Sequence, residues 1–234
     1  MIRCSLIITA MLILQGCSIA NQQKPLVNRV LTAEEQAALT PQKVLTMLED
    51  GNERFVAGTI TSRDHSAQIR LAAEGQFPKA VVLSCLDSRV PVEDVFDRGI
   101  GDIFVARVAG NFENTDILGS MEFATKVAGA KVVLVLGHKD CGAVKATIDG
   151  AELGNITAML KNIQPAVDAV PGFEGARTSS NVEFLNEVTE MNVRETVNRI
   201  RENSPLMRQM ESDGEIQIVG ALYDMTTGEV EILD

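Results

Sequence analysis

Three short apolar runs constrain this chain more than any other feature: 80–85 (AVVLSC), 102–108 (DIFVARV) and 131–137 (KVVLVLG). They are continuous rather than alternating, the pattern of strands covered on both faces. Helical stretches at 92–98 and 116–127 lie between them. Alternating strand and helix predicts an α/β fold, a mostly parallel central sheet with flanking helices. A chain of 234 residues, 45% hydrophobic, is long enough to bury one such core. Before the runs, residues 41–57 place Val44, Leu45, Leu48, Phe55 and Val56 at helical spacing, with Thr40 as N-cap and Pro41 in the first turn. This helix is expected to break around Gly51. Residues 183–201 carry Leu185, Val188, Met191, Val193, Val197 and Ile200 as the apolar side of an amphipathic helix. Segments 215–223 and 229–233, joined by the turn Thr226-Thr227-Gly228, read as two further strands. The sequence holds no internal repeat.

The first residues follow another pattern. Met1-Ile2-Arg3 is a short basic start, Ser5 to Leu14 is almost wholly apolar, and Gly16-Cys17 follows. The run is too short to span a bilayer and suits a signal peptide over residues 1–16. Leu14-Gln15-Gly16-Cys17 resembles the bacterial lipobox, with Gln15 a less usual occupant of its place. That resemblance implies lipidation at Cys17, an exported periplasmic protein, and, with Ser18 next, the outer membrane. Contact with a membrane is then expected only through this anchor. The alternative is an ordinary signal peptide with an incidental cysteine. Residues 17–40 are polar and weakly patterned, the expectation for a tether, and the domain is expected over 41–234.

Charge removes other classes. A net charge of -11 and no basic stripe exclude nucleic acid as a partner, since phosphate binding needs clustered Lys and Arg. With no Trp and one Tyr, aromatic platforms for bases or sugars are also missing. Small, poorly aromatic substrates fit the composition better.

Once a signal peptide is removed and Cys17 is lipidated, two thiols remain, Cys85 and Cys141. Cys85 closes the first strand, and His138-Lys139-Asp140-Cys141 follows the third. In an open parallel sheet, functional groups gather beyond the carboxyl ends of strands. The two-residue gap in His138-Lys139-Asp140-Cys141 lets one turn offer an imidazole and a thiolate to one ion. Two Cys and one His make three ligands for zinc, and three protein ligands with an open fourth position mark a catalytic site. A disulfide between Cys85 and Cys141 is the alternative for an exported chain. Asp87 and Arg89 follow Cys85 at two-residue steps, which puts both on one side of an extended segment. A carboxylate there is placed to orient a water, and an arginine beside it keeps it ionised. The other reading is a plain ion pair at a turn. His65 lies outside both motifs and is expected at the surface or behind the ligands.

Cys85-Leu86-Asp87-Ser88-Arg89-Val90 and His138-Lys139-Asp140-Cys141-Gly142-Ala143, with Gly101-Asp102-Ile103-Phe104-Val105 and Ala109-Gly110-Asn111 between, resemble the β-carbonic anhydrases. Gly51-Asn52-Glu53-Arg54-Phe55 and the ending Tyr223-Asp224 fit as well, so the resemblance covers about residues 41–233. It implies one Zn²⁺ per chain on Cys85, His138 and Cys141, a dyad of Asp87 with Arg89, carbon dioxide and bicarbonate as substrates, and a homodimer or dimer-based oligomer. It also implies a pocket with Gln76 as a substrate hydrogen-bonder and Phe104 as an apolar wall. Phe123 stands where relatives often carry Tyr, and Val108 where they often carry Asn.

The activity implied is reversible hydration of carbon dioxide, with activity favouring alkaline pH because two thiolates cancel the zinc charge. Some relatives close the site by moving the Asp onto zinc, helped by a bicarbonate pocket that uses a Trp. This chain has no Trp, so the open arrangement with Asp87 on Arg89 is expected. The rival readings are a hydrolase of carbon disulfide or carbonyl sulfide on the same scaffold, and a non-catalytic zinc-binding lipoprotein.

Overall fold

The computed structural model describes residues 26–170 and 172–233. The signal segment and Cys17 lie outside the described residues.

Five strands form one sheet: β1 (Ala80–Ser84), β2 (Ile103–Arg107), β3 (Val132–His138), β4 (Gln217–Tyr223) and β5 (Val230–Leu233). Their order is β2-β1-β3-β4-β5, parallel except for β5, which runs back along β4. The apolar runs dictate this because every residue of β1 and of β3 is buried. One face packs Val82, Leu134 and Leu136 on Val44, Leu48 and Phe96. The other packs Val81, Leu83, Val133 and Val135 on Val193, Val197 and Ile200. From β1 the chain crosses to β2 on one side and then returns to β3 on the other. The carboxyl ends of β1 and β3 are therefore a topological switch point.

Ten α-helices are described. Besides α1 (Ala33–Ala37), α2 (Pro41–Val56), α3 (His65–Ala72), α4 (Val92–Val95) and α5 (Thr115–Glu122), they comprise α6 (Gly142–Ile148), α7 (Gly154–Leu160), α8 (Gln164–Asp168), α9 (Val182–Asn203) and α10 (Pro205–Ser212). After α5 the chain continues as one π-helical turn, Phe123–Val127.

Three sequence expectations need correction, and one helix lies where nothing was expected. The helix from Pro41 does not break at Gly51. A Cβ there would lie 2.0 Å from the Phe96 carbonyl oxygen, so this glycine lets α2 press against the end of α4. The helix expected over 92–98 stops at Val95, because Asp97 adopts φ +48. Residues 26–40, expected as tether, lie on the domain instead. Val27 pairs with Arg63, and the Gln36 side chain donates to the carbonyls of Pro78 and Ala128 at 2.7 and 2.8 Å. Finally, α3 covers a stretch for which no helix was expected.

Asn52 and Arg54 link α2 to the sheet end. Asn52 donates to the carbonyls of Val95 and Gly228 and accepts from the Val230 amide. The Arg54 Nε donates to Asp97 at 2.6 Å, and Arg63 donates to the same carboxylate at 2.7 Å.

Candidate metal centre

Cys85 follows the last residue of β1, and His138 is the last residue of β3. Ser84 pairs with Leu136, so the two motifs leave adjacent strands at nearly the same level. Asp140 then adopts φ +59, a left-handed conformation that Asp tolerates better than most residues, and the reversal returns Cys141 toward His138. The ligand atoms of Cys85, His138 and Cys141 all lie within 4.8 Å of one another, and all three residues are buried.

The two sulfurs are 3.9 Å apart and both thiols are free, well beyond the ~2.05 Å of a disulfide. Two sulfurs each about 2.3 Å from a tetrahedral zinc lie about 3.8 Å from each other. His138 Nδ1–H donates to the Lys139 carbonyl at 2.9 Å, which fixes the tautomer and leaves the Nε2 lone pair free. Nε2 is a fully buried polar atom with no hydrogen-bond partner. A buried acceptor in that state costs stability unless an electrophile takes its lone pair.

The charges point the same way. Its hydrogen bond with Cys141, then the neighbouring His138 ring and the Gly110 amide, draw the Cys85 thiol well below the ordinary thiol range against the opposing effect of burial. Beside that thiolate, and buried itself, Cys141 is pushed far up although the Val144 and Ala143 amides oppose the shift. Burial alone would lower the His138 ring, but Cys85 and the Lys139 carbonyl outweigh it and raise it. Two adjacent thiols thus resist ionising together, and a divalent cation removes the conflict. The donor set fits zinc.

Asp87 stands above this cluster. Arg89 grips both its oxygens, Nε to Oδ1 at 2.9 Å and Nη2 to Oδ2 at 2.7 Å, and the Arg89 amide adds a third bond at 2.9 Å. These bonds, the Arg89 side chain first, hold the Asp87 carboxyl at about 2. Asp87 Oδ2 lies 3.8 Å from His138 Nε2, so the carboxylate overlooks the ligands while bound to arginine.

The remaining expected residues lie elsewhere in the single chain. Phe104 pairs with Val81, four residues before Cys85, about 13 Å along the strand. Phe123 stacks edge-on against Phe104 with ring centroids 6.4 Å apart, and Gln76 is exposed before β1. His65 is exposed at the start of α3.

Sequence reasoning missed Arg107. Its Nη1 donates to the Cys85 carbonyl at 2.9 Å and its Nη2 to the Val90 carbonyl at 2.7 Å, which ties both ends of the 85–90 loop to β2. A lone charge inside an apolar run, DIFVARV, was the available signal. The Gly110 amide, which donates to Cys85 Sγ at 3.3 Å, was also missed. Lys139 supports its neighbour His138 by donating to Asp224 at 2.7 Å, a reason for the Tyr223-Asp224 ending.

A family model described as "Carbonic anhydrase" matches residues 80–230. A protein of Mycolicibacterium smegmatis named "Carbonic anhydrase" is 36% identical over 186 residues, covering 79% of this chain and 89% of that one. "Carbonic anhydrase 2" of Mycobacterium tuberculosis is 36% identical over 196 residues, covering 80% and 90%. Among solved structures, the β-carbonic anhydrase CafA of Aspergillus fumigatus superposes with a TM-score of 0.62 at 25% identity, covering 81% of this chain and 90% of that one.

Proposed function

Because this chain belongs to the β-class carbonic anhydrase family, we propose that Cys85, His138 and Cys141 hold its zinc and that Asp87 and Arg89 serve the reaction. That reaction is the zinc-dependent reversible hydration of carbon dioxide to bicarbonate and a proton. The carrying observation is the cluster itself: two sulfurs 3.9 Å apart with an unpartnered buried Nε2 beside them.

Zinc, when bound, supplies the Lewis acid that makes water nucleophilic near neutral pH. The chain's own residues set the rest. The Asp87 carboxylate, kept ionised by Arg89, accepts a hydrogen bond from the attacking water and so aims its lone pair. Because both its oxygens are bound by Arg89, Asp87 is restrained from becoming a fourth ligand. Arg107 fixes the loop that carries both groups. Stopped-flow hydration of carbon dioxide by the zinc-loaded protein tests the assignment, with carbon disulfide and carbonyl sulfide in parallel. Turnover of carbon dioxide supports it. Turnover of only the sulfur compounds, or zinc bound without turnover, contradicts it.

We place Gln76, Phe104 and Phe123 in the substrate pocket of a homodimer or dimer-based oligomer. Phe123, 48% exposed beside Phe104, and Val127, 71% exposed four residues on, support a face that a second copy covers. Residues 1–16 are proposed as a signal peptide and Cys17 as a lipid anchor to the periplasmic side of the outer membrane. The apolar stretch and Leu14-Gln15-Gly16-Cys17 support this reading. Among the described residues no helix is long and apolar enough to cross a membrane. Mass spectrometry of the mature N-terminus decides: acylated Cys17 is expected, and an unmodified terminus elsewhere contradicts the anchor.

A further inference from the structure

The Gly110 amide that donates to Cys85 Sγ belongs to a turn with two consecutive left-handed residues, Gly110 at φ +87 and Asn111 at φ +42. In this turn the Asn111 amide donates back to the Val108 carbonyl at 3.0 Å, which leaves the Gly110 amide as the one aimed at the sulfur. No side chain fits at Gly110, since a Cβ would lie 2.4 Å from Ile163 Cδ1. Something must hold this turn in register with the sulfur.

Asn192, fully buried on α9, does so: its Nδ2 donates to the Gly110 carbonyl at 2.8 Å. The next residue fixes where α9 sits. A Cβ on Gly137 would lie 2.5 Å from Val193 Cγ2, so Val193 occupies the space above the residue that precedes His138. Neighbouring residues of one helix thus touch the turn beside one proposed ligand and the strand carrying another. Asn192 also leaves its Oδ1 buried without a partner. Half-satisfied buried amides cost stability, and an apolar side chain of similar size would pack there without that cost. Packing does not account for an asparagine at this position.

We propose that Asn192 is a positioning residue of the metal centre: it holds the Gly110 carbonyl so that the Gly110 amide bonds the Cys85 sulfur and withdraws charge from it. Hydrogen bonds to a ligand sulfur tune the metal it binds, and a less electron-rich thiolate leaves a stronger Lewis acid. The inference rests on Cys85 being a zinc ligand.

Asn192→Leu removes the donor at similar volume, and Asn192→Asp keeps the shape but replaces the donor with an acceptor. Both are expected to weaken zinc affinity about tenfold or more. In the cobalt-substituted proteins the thiolate-to-metal charge-transfer band should move, and the kcat/KM profile should shift to higher pH. A merely structural residue would lower Tm and leave the cobalt band and the pH profile in place, and that result overturns the proposal. Should neither variant fold, NMR on the labelled wild-type chain loaded with magnetically active cadmium decides. Couplings from the Gly110 amide proton to the cadmium, and from the Asn192 side-chain amide to the Gly110 carbonyl carbon, are expected; absence of either overturns it. Wild-type protein that binds no metal refutes the ligand assignment itself, whereas metal-binding wild type with unaltered variants refutes only the role of Asn192.

Discussion

Replacing Arg107 by Gln removes the two bonds that tie the ends of the 85–90 loop to β2. The guanidinium donates to Cys85 O at 2.9 Å and Val90 O at 2.7 Å, while its 3.5 Å approach to Asp87 O is too long to count for much. Hydrogen bonds involving a charged group contribute about 1.5–3 kcal/mol each, and Arg107 is only partly buried, so water recovers some of that. About 3 kcal/mol is expected for the pair, or roughly 6–12 °C in Tm for a domain of this size. The loop carries both Asp87 and Arg89, so kcat/KM should fall about 10- to 100-fold, mostly in kcat. Arg107→Lys keeps the charge but cannot bridge two carbonyls, and should recover less than half of either loss. Thermal unfolding of the zinc-loaded variants and stopped-flow hydration of carbon dioxide read both quantities. A Tm within 2 °C of wild type (~) together with unchanged kcat/KM would refute the idea that this bridge organises the site.

Two further perturbations probe the surrounding scaffold. Burial by itself would raise the Asp97 carboxyl, but Arg54, Thr61 and Arg63 outweigh it and hold it well below the usual carboxylate range. Its stabilising effect is therefore present above about pH 4 and is lost as pH falls further, so Asp97→Asn should cost about 3 kcal/mol at neutral pH and progressively less in acid. Urea unfolding across pH checks this, and a pH-independent difference contradicts it. Gly137→Ala should destabilise by about 1–3 kcal/mol through overpacking on Val193, and Val193→Ala in the same chain should restore much of that loss. Additive effects in the double variant would show that the two residues do not meet.

The sheet was legible because continuous apolar runs have few other uses, and the Cys85, His138 and Cys141 cluster because the residues that end those runs are the ones that meet. Side-chain periodicity could not show Asp97 ending α4 early, since that stop depends on a carboxylate shared by Arg54 and Arg63 from distant segments. Gly51 misled for a related reason: glycine in a helix signals a break locally, but here it answers the Phe96 carbonyl across the core. Arg107 and Asn192 act on backbone carbonyls, and no spacing rule records such partners. Gln76, Phe104 and Phe123 are grouped by resemblance alone, and in one chain they stand away from the cysteine–histidine cluster.

X-ray absorption at the zinc edge of active protein tests the central claim most directly. The account predicts about one zinc per chain with two sulfurs at about 2.3 Å, one histidine nitrogen at about 2.0–2.1 Å and a fourth light atom not supplied by the protein. Cys141→Ser should lose one sulfur from that shell and most of the metal. Active protein in which Cys85 and Cys141 form a disulfide, or whose fourth zinc ligand is the Asp87 carboxylate, would contradict it.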